Sequence, residues 1–476
     1  MVTATLEVPV GPSLTEQQAR EIFSQGEEAV IFALLAMAKQ LAEQTATAAG
    51  DSHQTPATPS GMKPAYKKPN ASRRKKKPGR KAGHVGSRRP SPEEIDHCKK
   101  HRADRCPDCN SPLKRCAETR TRYTEDIPED LAAEVTLHTI HRDWCPVCKK
   151  KVEPPVPDAL PKSTLGNRTL ALTAWLHFAL GNTLAQIIEV FNFHLRLKLT
   201  EGGLVQMWHR LAEVLYPWYE EIGRQARQSA VLHGDETGWR VNGKTHWLWC
   251  FANRSETYFL IDRSRGSPAL LKFFTEVFEG TLVSDFWGAY NAVVCAWRQT
   301  CLVHLFRELE HTEKYKSPGQ DWPAFVKKLR RLLRDGIRLW YGRHEYDAAT
   351  FASRRQRLTE RLRQLIDTDW KDSHAKRLVK RLRRHQEHIF TFLDREGVPF
   401  DNNLDEREIR SAVIMRKNSY GNRSDQGADT QAILMSIFRT IKKRGQHPIQ
   451  TITNALATYI QTGKLPPLPA PTTADG

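Results

Sequence analysis

Val231-Leu-His-Gly-Asp235-Glu-Thr-Gly-Trp239 is the stretch from which the rest of the chain can be read. An apolar run leads into a carboxylate, the pattern of a buried strand that ends in an acid. Thr281-Leu-Val-Ser-Asp285-Phe-Trp-Gly-Ala-Tyr290 has the same form. Between them lie two strand-like segments, Trp247–Ala252 and Tyr258–Ile261, and an amphipathic helix near Leu270–Phe278. This order predicts a mixed sheet with Asp235 and Asp285 at the mouths of neighbouring strands, where two carboxylates can share divalent cations. A third acid stands in Phe400-Asp-Asn-Asn-Leu-Asp-Glu406-Arg-Glu-Ile-Arg410. Asp401 or Asn402 can cap a helix there, and Glu406 and Arg410 then share a face. A carboxylate for metal beside a guanidinium for phosphate suits phosphodiester cleavage with two Mg²⁺ ions about 4 Å apart. Taken singly these acids are ordinary: Asp262 also ends an apolar run, and Glu236, Asp405 and Glu408 are adjacent alternatives.

The surrounding sequence favours an anionic partner. Lys and Arg number 73 against 54 Asp and Glu, a net charge of +19. Each basic side chain laid on a phosphate releases counterions. The longest apolar run, Ala29–Ala38, is far short of the ~20 residues a spanning helix needs. Met1–Gly11 lacks the basic start of a signal peptide, so the expected location is cytoplasmic, on the nucleoid when DNA is bound.

Residues 13–44 read as one helix with a short stripe at Val30, Leu34, Met37 and Leu41, and 1–62 as that helix plus a linker. Residues 63–97 read as a disordered basic arm: 63–89 holds twelve Lys and Arg and no acid, including Arg73, Arg74, Lys75, Lys76 and Lys77. Arg80 and Lys81 after Pro78-Gly79 suit a narrow minor groove. Cys106-Pro-Asp-Cys109 and Cys145-Pro-Val-Cys148 are two pairs of equal spacing within a module at 98–155. In a reducing compartment two such turns close a four-sulfur structural Zn²⁺ site. The 35-residue gap can hold a zinc-ribbon-like sheet, with strand character at Arg120–Tyr123 and Glu134–Ile140. Cys98, Cys116, His101, His138 and His141 read as structural or surface residues. Residues 156–228 are helical. Leu184–Phe193 and Leu204–Leu215 around Gly202-Gly203 could form a helix-turn-helix, with Trp208, Leu211 and Leu215 as core. A charged helical stretch covers 317–395, a helical block 401–462, and the Pro-rich tail after Leu465 reads as loose.

At the acids the chain resembles insertion-sequence-66 family transposases, of the DDE class with an RNase H-like core. The likeness rests on His233-Gly-Asp235-Glu-Thr-Gly-Trp, Ser284-Asp285-x-x-x-Ala-Tyr290, Cys301-Leu-Val-His304-Leu-Phe-Arg307, and Asp401-Asn-Asn-x-x-Glu406-Arg407-x-x-Arg410 continuing to Arg416-Lys417-Asn418. It covers roughly 63–462. It implies an α/β core over 229–425, a mixed sheet flanked by helices with a helical insertion at 317–395, followed by a C-terminal helical region at 426–476. It implies Asp235, Asp285 and Glu406 as catalytic triad and ligands of Mg²⁺ or Mn²⁺. It sets Cys301, His304 and Arg307 beside the site as supporting residues, and Arg407, Arg410, Arg416 and Lys417 on DNA. The implied activity is cleavage and strand transfer at terminal inverted repeats in double-stranded DNA, by a homo-oligomer with small accessory proteins and no membrane partner. A nuclease of the same fold and a non-catalytic DNA-binding regulator are the competing classes. The zipper that commonly opens such chains is short here.

Overall fold

The computed structural model describes residues 92–472 except 115–120, 125, 126, 129 and 130, together with Gln17, Arg20, Phe23, Ser24 and Val30. The expected helix at 13–44 and the residues Arg73–Lys77, Arg80 and Lys81 of the basic arm lie outside the described residues, the five isolated positions apart.

In chain order the elements begin with two short strands, β1 (Asp143–Cys145) and β2 (Lys150–Val152). Helices α1 (Asn167–Phe178), α2 (Leu184–His194) and α3 (Glu201–Arg227) follow. Then come β3 (Val231–Val241), β4 (Lys244–Ala252), β5 (Thr257–Asp262), α4 (Ser267–Phe273), β6 (Phe278–Ser284) and β7 (Cys295–Thr300). The rest is helical: α5 (Leu302–Tyr315), α6 (Trp322–Tyr341), α7 (Ala348–Asp367), α8 (Ser373–Arg384), α9 (Asn403–Ser419), α10 (Asp425–Lys443) and α11 (Pro448–Thr462). Among the described residues no helix is long and apolar enough to cross a membrane.

Two compact units arise. One joins residues 157–182 to 207–472; the other joins 92–156 to 183–206. The larger unit therefore crosses the boundaries expected at 228 and 425. Helices α10 and α11 pack on β5 and α1, within the unit that holds the sheet.

The sheet of the larger unit has the order β5-β4-β3-β6-β7. Strands β3, β4 and β5 run antiparallel, whereas β6 and β7 run parallel to β3 and to each other. It is a mixed sheet flanked by helices. A central strand buried on both faces needs apolar residues on both, and Leu232, Trp239 and Val241 of β3 are all buried. On one side, Leu232, Trp249, Phe251 and Leu282 pack with Leu270, Phe273 and Phe274 of α4 and its C-terminal end. Phe251 and Phe273 stack at 4.1 Å. The helical insertion builds a core shared with Val283 of β6 and Leu302, Leu305 and Leu309 of α5. On α6, Trp322, Phe325, Val326, Leu329, Leu332, Leu333 and Leu339 recur at three- and four-residue steps and meet Leu358, Leu362 and Leu365 of α7 and Leu378 and Leu382 of α8.

Several expectations change. β3 does not end at Asp235 but continues to Val241, because β4 pairs with it all along that stretch, Asp235 opposite Cys250. The expected helix to Phe278 stops at Phe273, and Phe278 opens β6. Asn402 is the N-cap of α9, yet its side chain makes no cap hydrogen bond and turns to β3 instead. The tail is not loose through Thr472: Trp218 Nε1 donates to the Pro466 carbonyl at 2.7 Å, and Thr472 N donates to the Arg444 carbonyl at 3.0 Å.

In the smaller unit, residues 121–123 and Glu134–Ile140 form no strand. The alternation of Glu134–Ile140 has no core to face, since Val135 and Leu137 are 96% and 91% exposed. The antiparallel pair there is β1 with β2, flanking the second cysteine pair. Helix α2 opens with a capping box between Thr183 and Gln186.

Candidate active site

Parallel pairing of β3 with β6 puts Val231, Leu232 and His233 beside Thr281, Leu282 and Val283. The pairing stops there, so Asp235 lies two residues beyond its last pair, as Asp285 does on β6. Sheet alternation sends Asp235 and Glu236 to opposite faces. On the first face lies α9. Its residues Asp405, Glu406, Ile409, Ala412 and Val413 are buried and phased together. Asn403, Arg407, Arg410, Ile414 and Lys417 form the opposite, exposed stripe.

Asn402, fully buried, fixes the start of α9 to the sheet. Its Nδ2 donates to the Gly234 carbonyl at 2.9 Å, and its Oδ1 lies 2.9 Å from His233 Nδ1. Its main-chain N–H donates to Cys301 Sγ at 3.2 Å. Cys301 N in turn donates to the Ser284 carbonyl, and Leu302 N to the Phe400 carbonyl, both at 2.9 Å. One buried amide thus ties together β3, the start of α5 and the start of α9.

The electrostatics follow from this crowding. Burial, then the neighbouring Glu236, Asp405, Asp285 and Glu406, push Asp235 well above the ordinary carboxylate range. Burial and Asp285 push Glu236 up to about 7 against the opposing pull of Arg265 and Tyr290. Arg265 pairs with Glu236 at 3.1 Å, and Tyr290 donates to Glu236 Oε2 at 3.3 Å. Gly234 admits that tyrosine: a Cβ there would sit 3.1 Å from the Tyr290 ring. Asp405 is fully buried against the Cys250 thiol, and burial raises it well above its usual range. Burial holds His233 down to about 4, so it is neutral at pH 7.

Glu406 is 1% exposed and faces Arg307, whose two terminal nitrogens donate to its two oxygens at 3.3 and 3.4 Å. The guanidinium at Glu406 is therefore Arg307; Arg410 is exposed on the other face. Donor atoms of Cys301, His304 and Glu406 lie within 4.8 Å of one another, the tightest grouping of three such donors among the described residues. Asp235, Asp285 and Glu406 are near enough to interact but do not close to that distance.

Arg407, Arg410 and Lys417 project outward from α9. Arg416 braces β3 instead, donating to the Gly238 carbonyl and to Thr237 Oγ1. Cys106 with Cys109 and Cys145 with Cys148 each close one turn. Cys148 N donates to Cys145 Sγ at 3.3 Å. Hydrogen bonds from Ser111 and Cys106 lower Cys109, and those from Cys148 and Val147 lower Cys145, which favours thiolate in each pair. The pairs do not converge into one cluster among the described residues.

Sequence reasoning set Asp405 aside as an adjacent alternative and missed the Arg307–Glu406 pair. The helical phase of Ile409, Ala412 and Val413 carries the signal for the first, since it turns both acids inward. Nothing local carries the second, a contact across 99 positions.

The family model described as "Transposase IS66 family" matches residues 162–430, more than half of the chain. The "Uncharacterized protein y4jD" of Sinorhizobium fredii is 23% identical over 386 residues, covering 74% of each chain. The "Uncharacterized protein y4qI" of the same organism is 26% identical over 252 residues, 46% of this chain and 45% of its own.

Proposed function

Because the chain belongs to the IS66 family of transposases, we propose that it binds the terminal inverted repeats of a DNA element, cuts there and joins the ends to target DNA. The carrying observation is the gathering of acids from β3, the end of β6 and α9 just past the point where β3 and β6 stop pairing, inside the family-matched segment. The strand order β5-β4-β3-β6-β7, antiparallel then parallel, supports an RNase H-like core.

Asp235, Asp285 and Glu406 are the catalytic triad in this reading. The triad offers carboxylate oxygens gathered with Asp405 in a buried site, which fits a hard divalent cation, with Cys301 and His304 as softer donors beside Glu406. Mg²⁺ or Mn²⁺ bound there supplies positive charge to the attacking and leaving oxygens. The residues do the rest. Asn402 holds β3, α5 and α9 in register, Arg307 orients Glu406, and the Trp287 main-chain N–H donates to Asp285 Oδ1 at 2.8 Å. Water attacks the phosphodiester in line and releases a 3′-OH; that 3′-OH then displaces the 3′-oxygen of a target phosphodiester. No covalent protein–DNA bond forms.

Arg407, Arg410 and Lys417 lie along phosphates and position the duplex without reading its sequence. The basic arm over 63–97 adds phosphate contacts, and a structural Zn²⁺ would draw Cys106, Cys109, Cys145 and Cys148 together. The unit acts as a homo-oligomer on DNA, with small accessory proteins. The test is a strand-transfer assay with labelled repeat-end DNA. Joined product supports a transposase. Cleavage without joining under any condition makes the chain a nuclease of the same fold, and binding without cleavage makes it a regulator.

A further inference from the structure

Trp287 stands two residues beyond Asp285 and is 39% exposed. A large aromatic left in water beside a crowd of buried acids needs a reason. Its ring is not loose: Nε1 donates to the Arg265 carbonyl at 2.9 Å. The Arg265 guanidinium lies over the Trp287 ring at 4.2 Å and over the Trp247 ring at 4.4 Å, and it is anchored to Glu236 at 3.1 Å. No other ring or cation among the described residues packs on Trp287. The indole is thus fixed in orientation, backed by a cation, and open to solvent. Two residues span at most about 7 Å of extended chain, roughly two base steps at ~3.4 Å each.

We propose that the Trp287 indole stacks on the nucleobase next to the scissile phosphate, holding that base out of its pair while the acids engage the backbone. The inference rests on the reading of the substrate as DNA cut at Asp235, Asp285 and Glu406. Stacking suits an end that differs in sequence between elements, because every base offers a π-face. Trp297 provides a matched contrast. It is 45% exposed and stacked with Arg395 at 3.6 Å, but on β7 it pairs with Thr281, four positions before Asp285.

The experiment uses the full chain and repeat-end DNA carrying 5-iodouracil singly at each nucleotide flanking the cut, with crosslinks mapped by peptide sequencing and cleavage rates measured in parallel. Wild type and Trp287→Phe should crosslink at position 287 from one flanking base only. Trp287→Ala should lose that crosslink and cut about 5- to 150-fold more slowly, while Trp297→Ala behaves as wild type. The main-chain N–H that holds Asp285 survives each substitution, so a slower Trp287→Ala does not come from losing that bond. Wild type that cuts, with Trp287→Ala equally fast or crosslinks scattered away from 287, overturns the stacking and leaves the proposed activity standing. Wild type that binds but never cuts overturns both.

Discussion

At the scale of single residues the site is defined by acids that only a low dielectric and a counter-charge make sense of. Glu406 is almost wholly buried and its cation is Arg307. Arg307→Ala should therefore cost roughly 1.5–3 kcal/mol, the worth of hydrogen bonds to a charged group. The urea midpoint should fall at an unchanged slope, and Arg307→Lys should recover part of it. Equal midpoints for wild type and Arg307→Ala would show that the pair contributes nothing to the fold. The positions of Asp235 and Asp285 were legible because each follows an apolar run. That Glu406 belongs with them came from family likeness, since its neighbours Asp405 and Glu408 have the same chemistry. The buried Asn402 was read as a cap because a polar residue before a helix usually caps it. Its real bonds, to His233 and the Gly234 carbonyl, join residues nearly 170 apart and leave no local trace.

Among the elements, β3 carries the site because it is paired on both sides, antiparallel to β4 and parallel to β6. Phe251 on β4, stacked on Phe273 and fully buried, holds α4 to that sheet. Phe251→Ala should destabilise the larger unit by about 3–5 kcal/mol, read as a lower urea midpoint; a loss under 1 kcal/mol would mean that the stack is not part of the core. In the helical insertion, His385 is buried, and burial with His388, Arg298, Arg384 and Arg381 nearby holds it down to about 4. The unfolded chain takes up its proton near pH 6.5, the folded one only near 4. The contribution of His385 to stability should be level above pH 6.5, fall by on the order of 2–3 kcal/mol between pH 6.5 and 4, and level again. In His385→Gln that part of the pH dependence should vanish; an unchanged profile would count against the assignment. Strand β7 escaped the sequence reading because Cys-Ala-Trp-Arg-Gln-Thr lacks both a continuous apolar run and a clean alternation. It forms because β6 offers it a parallel edge. The helical character of 317–395 was legible in the sequence, but its division into α6, α7 and α8 was not.

The whole molecule has two compact units, and the account gives them different work. If the two cysteine pairs share one ion, Cys106→Ser and Cys145→Ser should each remove one equivalent of zinc by atomic absorption and loosen the smaller unit, while the urea transition of the larger one stays put. Full zinc retention in both variants would dismiss the shared site. Organisation at this scale was the least legible. Residues 157–182 and 426–472 are distant in sequence from β3 to β7 yet fold with them, and no periodicity signals that. The central claim is that Asp235, Asp285 and Glu406 act as one catalytic group on DNA. The direct measurement is strand transfer of labelled repeat-end DNA in Mg²⁺ or Mn²⁺ by wild type, Asp235→Asn, Asp285→Asn and Glu406→Gln, with binding followed by gel shift. The account predicts joined product from wild type alone and undiminished binding by all four; joined product from any of the three variants at the wild-type rate would contradict it.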